Sequence, residues 1–304
     1  MPETLAGAGV REAVAERARH AFIEACTLDV LARKPGNVSL ASPGHRMHAA
    51  LFIDSARAAA APLCRPCAPV GERIEQAVRA TRRVVQCNTN LGIVLLCAPL
   101  VAAQERRALD GADGVLANAL HAVLAELDLD DARAAYRAIA LAQPAGLGAA
   151  PAQDVADAPT VGLRAAMALA ADRDRIAFQY AHGYADVFGI GLLALHRHRD
   201  RALRRGEPPR AAETAGLQAV FLEFLAAWPD SHIARKHGAA AAHSVMAEAR
   251  PWRERARRGD VLDTDPDWAA WDESLKQRGL NPGTSADLCV ATALAGRLEA
   301  IADR

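Results

Sequence analysis

Apolar residues recur along this chain at helical spacing, in stretches closed by proline or glycine. Val14, Phe22, Cys26 and Val30 fall near one face of a predicted helix from about Val10 to Ala32. It ends at Lys34-Pro35-Gly36-Asn37. Proline fixes φ there and glycine accepts positive φ, which predicts a type II turn. Further helices are expected at Arg46–Ala61, Glu72–Val85, from Asn90 to a stop at Pro99, Leu116–Leu127 and Asp131–Leu141. Residues 143–160 read as a packed loop rich in Gly, Pro and Ala. A long helix with a break follows, Val161–Arg204, then Glu213–Ala227, Ser231–Ala249 and Trp268–Arg278. The last helix begins in "NPGTSADL", where Thr284 and Asp287 have capping-box spacing. No alternating pattern of strand type persists, and no repeat is evident. The expected architecture is all-α, a single domain over residues 1–304.

Composition supports this. Half of the residues are apolar (51%) but only 4% are aromatic, so alanine-rich helices must supply the core. Thirty-six basic residues balance 36 acidic ones, which argues against a nucleic-acid partner bound through a basic surface. No apolar run has the length of a membrane span, and the first twenty residues lack the apolar core of a signal peptide. A cytoplasmic location is expected; a homodimer is left open. Of the six cysteines, five or more are expected as reduced thiols in helical, apolar surroundings. Cys64-Arg-Pro-Cys67 has CxxC spacing without a second ligand pair and reads as a connecting loop.

Polar groups concentrate in a few places. Gln86, Asn88, Thr89 and Asn90 crowd the start of an otherwise apolar helix, where one cap would suffice. Either the extra groups satisfy one another in a buried turn or they serve a ligand. Asp172, Gln179 and Asp186 are spaced by seven, with Arg175 and His182 on the same predicted stripe. Short carboxylates and amides there suit a walled cavity and a metal, against the alternative of a solvated face. "PDSHIARKHG" opens a helix capped by Asp230 or Ser231 and carries Arg235 and Lys236 one turn later. Its His232 and His237, like His45 and His48 upstream, read as ordinary polar residues. No nucleophile elbow, P-loop, dinucleotide fingerprint or HExxH helix is present.

Four stretches, "KPGNVS" (34–39), "NTNLGIVLL" (88–96), "DSHIARKHG" (230–238) and "NPGTSADL" (281–288), together resemble the triphosphoribosyl-dephospho-CoA synthases. "FIDSA" (52–56) and "YADVFGIGL" (184–192) extend the resemblance over nearly the whole chain, in order. The resemblance implies an all-helical enzyme that joins ATP to 3′-dephospho-CoA and releases adenine, in prosthetic-group biosynthesis, with Mg²⁺ expected. A hydroxyl would attack the anomeric carbon of the ATP ribose through an oxocarbenium-like transition state.

On that basis Asp29, Asp154 and Asp186 are the candidate catalytic carboxylates, with Asp154 and Asp186 also candidate metal ligands. Lys34, Arg235 and Lys236 are candidate triphosphate cations; Asn37, Asn88, Thr89 and Asn90 are candidate hydrogen-bonding groups for the nucleotide. The chain departs from the family pattern at Asn90-Leu91, where His-Lys is usual, and at Arg46, where Asp is usual. Those changes leave two alternatives: a related transferase acting on another cofactor precursor of a C1-carrier pathway, or a non-catalytic helical nucleotide-binding protein.

Overall fold

The computed structural model describes residues 5–110, 115–144 and 153–302. Among these residues the regular elements are helices, and the one bridge of strand type joins Gly44 to Met47. Helices α1 (Leu5–Leu31), α2 (Ala49–Leu63), α3 (Val70–Val85), α4 (Leu91–Asp110), α5 (Leu116–Glu126) and α6 (Leu129–Ala142) come first. Then come the short α7 (Leu163–Ala168) and α8 (Arg175–Ala181), a π-helical turn at Val187–Gly191, and α9 (Leu192–Arg204). The rest are α10 (Pro209–Ala227), α11 (Ser231–His237), α12 (Ala239–Arg258), α13 (Pro266–Gln277) and α14 (Gly283–Ala302). The expected all-α fold is observed.

Helix α4 lies at the centre, packed by α1, α3, α5 and α14. Val94, Leu96, Cys97, Ala98 and Leu100 are all fully buried, so α4 is covered on every side. Each such Val or Leu contributes about 1.5–3 kcal/mol of burial free energy. Helix α14 meets α1, α4 and α10 with Leu288, Val290 and Leu294.

Several sequence expectations are corrected. Helix α4 does not stop at Pro99 but runs through it to Asp110. Packing on all sides and donors from neighbouring side chains offset the lost hydrogen bond. The long helix expected over Val161–Arg204 is four pieces. Asp174 caps α8 through Ile176 and Ala177 N–H, which starts a new helix there. Gly183 and Tyr184 then take positive φ, 62° and 59°, which ends it. A side chain on Gly183 would strike His121. Gly238 (φ 89°) likewise divides the segment expected as Ser231–Ala249 into α11 and α12. The turn at Lys34–Asn37 is as expected, with Gly36 at φ 81° and Asn37 N–H donating to Lys34 O at 2.9 Å.

Four cysteines are buried rather than five; Cys67 is exposed and Cys87 half-buried. All six are free thiols. Cys64 and Cys67 flank the turn between α2 and α3, as the loop reading expects. Arg73 reaches the carbonyls of Ala68 and Leu63 there, and Cys67 N–H meets Glu105. Burial pushes the Cys64 thiol up to about 12, so it is held as an unreactive thiol. No helix is long and apolar enough to cross a membrane among the described residues. Part of the loop expected at 143–160, including "AGLGAA", lies outside those residues.

Candidate active site

A cavity of about 490 Å³ opens beside the first turn of α4. Its walls come from chain segments far apart in sequence. Asn37 lines it from the turn after α1, Asn88, Thr89, Asn90 and Gly92 from the start of α4. Ser231, His232 and Arg235 line it from α11, and Asn281, Thr284 and Asp287 from the start of α14. Asp29, Asp154 and Asp174 complete its acidic lining. A side-chain bond ties two of these segments together: Asn37 Nδ2 donates to Asn281 Oδ1 at 3.0 Å.

The crowded entrance to α4 has a divided answer. Asn88 Oδ1 accepts the N–H of Leu91 at 3.2 Å and caps the helix. Thr89 shares a hydrogen bond with Ser55, and Asn90 Nδ2 donates to Thr81 Oγ1 at 3.1 Å. Their partners come from the α4 start, α2 and α3 and not from one another, and all three residues also face the cavity. Ser55 belongs to "FIDSA", so that stretch buttresses the turn, and its Phe52 also lines the cavity.

The carboxylates differ in their surroundings. Asp29, 4% exposed, stands 3.0 Å from Lys34 Nζ. Burial raises its carboxyl above the usual range, although Lys34 pulls it down. Asp230 caps α11 through His232 and Ile233 N–H and accepts twice more from Ser285. Burial still outweighs those four bonds and raises its carboxyl. Asp174 caps α8 with one oxygen and meets Arg235 with the other at 3.2 Å. Asp154 accepts from Ala156 N–H at the loop wall of the cavity.

Asp287 stands apart. It accepts no hydrogen bond and joins no ion pair among the described residues. Burial, then the charges of Asp29 and Asp230, raise its carboxyl well above the ordinary value. Its expected capping role with Thr284 is not realised. Helix α14 begins at Gly283, which puts Thr284 inside the first turn, and Thr284 Oγ1 accepts from His232 N–H instead. The Asp287 carboxyl lies against Gly92, where a β-carbon would collide with it. Sequence reading missed this residue because its spacing from Thr284 has a purely local explanation.

Three expected site residues lie elsewhere. Lys34 is fully buried and donates to the carbonyls of Asp29 and Ala32, so it neutralises Asp29 from behind instead of facing a triphosphate. Lys236 is exposed and outside the lining. Asp186 is outside it too. Arg175 grips its carboxylate through Nε (2.8 Å) and Nη2 (2.9 Å), and Gln179 donates a third bond. The stripe expected around Asp186 therefore forms an internal ion pair, and Asp172 at its far end is exposed. Both oxygens of this carboxylate are thus engaged by protein donors. No group of three or more His, Cys, Asp or Glu is arranged to hold a metal among the described residues.

His232, read earlier as ordinary, lines the cavity. Burial and then the charges of Arg235 and Lys236 lower its imidazole to about 4, so it is neutral at physiological pH.

The sequence model of the ATP:dephospho-CoA triphosphoribosyl transferase (CitG) family matches residues 15–304. The chain belongs to this family. It is a transferase of cofactor biosynthesis, moving the triphosphoribosyl group of ATP to dephospho-CoA. The fold has a counterpart in a crystal structure from Archaeoglobus fulgidus, whose protein carries the provisional name triphosphoribosyl-dephospho-CoA synthase. The TM-score is 0.57 and the identity 22%, over 81% of this chain and 97% of the other. No curated protein matches the transferase.

Proposed function

We propose that the 490 Å³ cavity is where the transferase binds ATP and carries out the transfer. The observation that carries this is convergence. Each of the four family-like stretches, separated by up to most of the chain, contributes side chains to this one cavity. Its volume falls in the range of about 300–1,000 Å³ typical of small-molecule sites.

The roles follow from charge and position. Of the two arginines that line the cavity, Arg173 is exposed and Arg235 is half-buried; Arg235 binds the triphosphate. Asn37, Asn88 and Asn281 face sugar and phosphate with amide groups. Asp29 supplies negative charge toward the anomeric carbon, where positive charge develops as adenine leaves. Lys34, behind it, keeps part of that charge on the carboxylate. Mg²⁺ enters with the triphosphate. Asp154 fits as one carboxylate ligand beside phosphate oxygens, since Mg²⁺ is commonly held by one or two carboxylates and substrate phosphates. The ion would neutralise triphosphate charge. Asp186 is left as an internal structural partner of Arg175.

The test is release of adenine, followed by liquid chromatography, from purified protein with ATP and Mg²⁺. Adenine appearing only when dephospho-CoA is present is the expected result. No adenine with both substrates present would remove the cavity's assignment to this reaction.

A further inference from the structure

The transfer requires two proton movements. Adenine must gain a proton as its glycosidic bond breaks, and the acceptor hydroxyl must lose one as the new bond forms. A group that performs both begins protonated, faces the bound sugar and has no competing partner in the protein.

Asp287 meets these conditions by its position. It lines the cavity from the first turn of α14. Its carboxyl accepts no hydrogen bond and joins no ion pair among the described residues, whereas Asp29, Asp174, Asp230 and Asp186 each have named partners. It is pressed against Gly92, in the glycine-containing turn of the second family-like stretch. The charged and titratable groups facing it come from five elements. Asp29 and Cys26 lie on α1, Cys97 on α4, Asp174 at the cap of α8, Asp230 and Arg235 at α11, and Cys289 on α14 itself. Carboxylates predominate, so a proton on Asp287 relieves repulsion that ionisation would restore. The first turn of α4, with its positive dipole end, stabilises the anion left after donation.

We propose that Asp287 shuttles the proton of the triphosphoribosyl transfer. The bond between the anomeric carbon and adenine N9 breaks, and its electron pair goes to the base. The Asp287 carboxyl gives its proton to the leaving adenine. The acceptor hydroxyl oxygen bonds to the anomeric carbon, and its proton passes to the Asp287 carboxylate. Adenine leaves neutral, the product keeps the triphosphate, and Asp287 ends as it began. This inference rests on the cavity being the transfer site.

The test compares two donors in wild type and Asp287→Asn. One is ATP; the other is 4-nitrophenyl β-D-ribofuranoside 5-triphosphate, whose phenolate leaves without being protonated. With ATP, kcat is expected to fall by about 10²–10⁴-fold in the variant while KM stays within a few-fold. With the nitrophenyl donor the loss should shrink to within about tenfold. An equal loss with both donors, or full activity on ATP, overturns the shuttle. A second comparison uses wild type alone, so it does not depend on the variant folding. Its rate with ATP should fall at alkaline pH while its rate with the nitrophenyl donor holds. Parallel pH profiles would count against Asp287 as the donor. Wild type that makes no adenine from ATP and dephospho-CoA overturns the transfer site itself, and that outcome is distinct from an active wild type with an unimpaired variant.

Discussion

The hydroxyl of Tyr180 donates to the carbonyl oxygen of Leu95 at 2.6 Å. Leu95 precedes Pro99 by four residues, and proline has no N–H to complete the helical bond. A side chain of α8 thus supplies what α4 lacks. Tyr184 donates to the next carbonyl, that of Leu96, at 2.9 Å. This is how α4 runs through its proline while buried on all sides. Tyr180→Phe leaves the Leu95 carbonyl buried and unsatisfied, which should cost about 1–3 kcal/mol in urea unfolding. In a Pro99→Ala background the restored N–H can take that carbonyl, so the loss should shrink. A loss of the same size in both backgrounds would show that the tyrosine acts by packing alone.

Asp287 should make the protein less stable as pH rises. Its carboxyl is raised in the folded state, so folding takes up a proton above the ordinary carboxylate range. Its favourable contribution is present below the unfolded value and is lost as pH climbs toward the folded one. The slope is about 1.4 kcal/mol per pH unit within that window. Asp287→Asn removes the titration. The variant should unfold at a higher temperature than wild type at pH 7.5, and the gap should narrow toward pH 4.5. A constant gap across that range would mean that Asp287 is ionised in the fold.

Asp186 should govern stability rather than turnover. Its carboxylate positions Arg175, whose guanidinium stacks over Phe178 (3.5 Å) and Trp228 (3.8 Å). Asp186→Asn keeps the shape and one acceptor but removes the charge. It should lower unfolding free energy by about 1–3 kcal/mol and leave kcat within about threefold. A folded variant without turnover would return Asp186 to the active site.

Arg235 should govern ATP binding. Its ion pair with Asp174 is partly exposed, so losing it costs only about 0–1 kcal/mol of stability. Arg235→Gln should raise KM for ATP by about tenfold or more while the thermal midpoint stays close to wild type. An unchanged KM would place the triphosphate elsewhere.

Much of the fold was legible in sequence because its signals are local. Helical periodicity, Pro35-Gly36, and the Asp230 cap each act within a few residues, and each appears where expected. The exceptions show what local signals omit. Pro99 reads as a stop because the hydroxyl that rescues the helix comes from Tyr180, 85 positions away from its acceptor. Residues 161–204 read as a helix with a single break, not as four pieces, because Tyr184 is an unusual residue to find at positive φ.

The site divides along the same line. By itself the sequence determined the helical class, the four ordered stretches and seven of the polar residues that line the cavity: Asp29, Asn37, Asn88, Thr89, Asn90, Asp154 and Arg235. Only the tertiary structure decided which charges face the cavity and which are spent inside the protein. Asp186 and Asp287 are indistinguishable as letters. One is gripped by Arg175; the other stands in a cavity beside Gly92 without a partner among the described residues. Lys34 is consumed by Asp29 and Arg235 faces the cavity, although both open as plausible phosphate ligands. The physical reason is that a charge's role is set by desolvation and by its nearest opposite charge, and both are fixed by packing among segments distant in the chain.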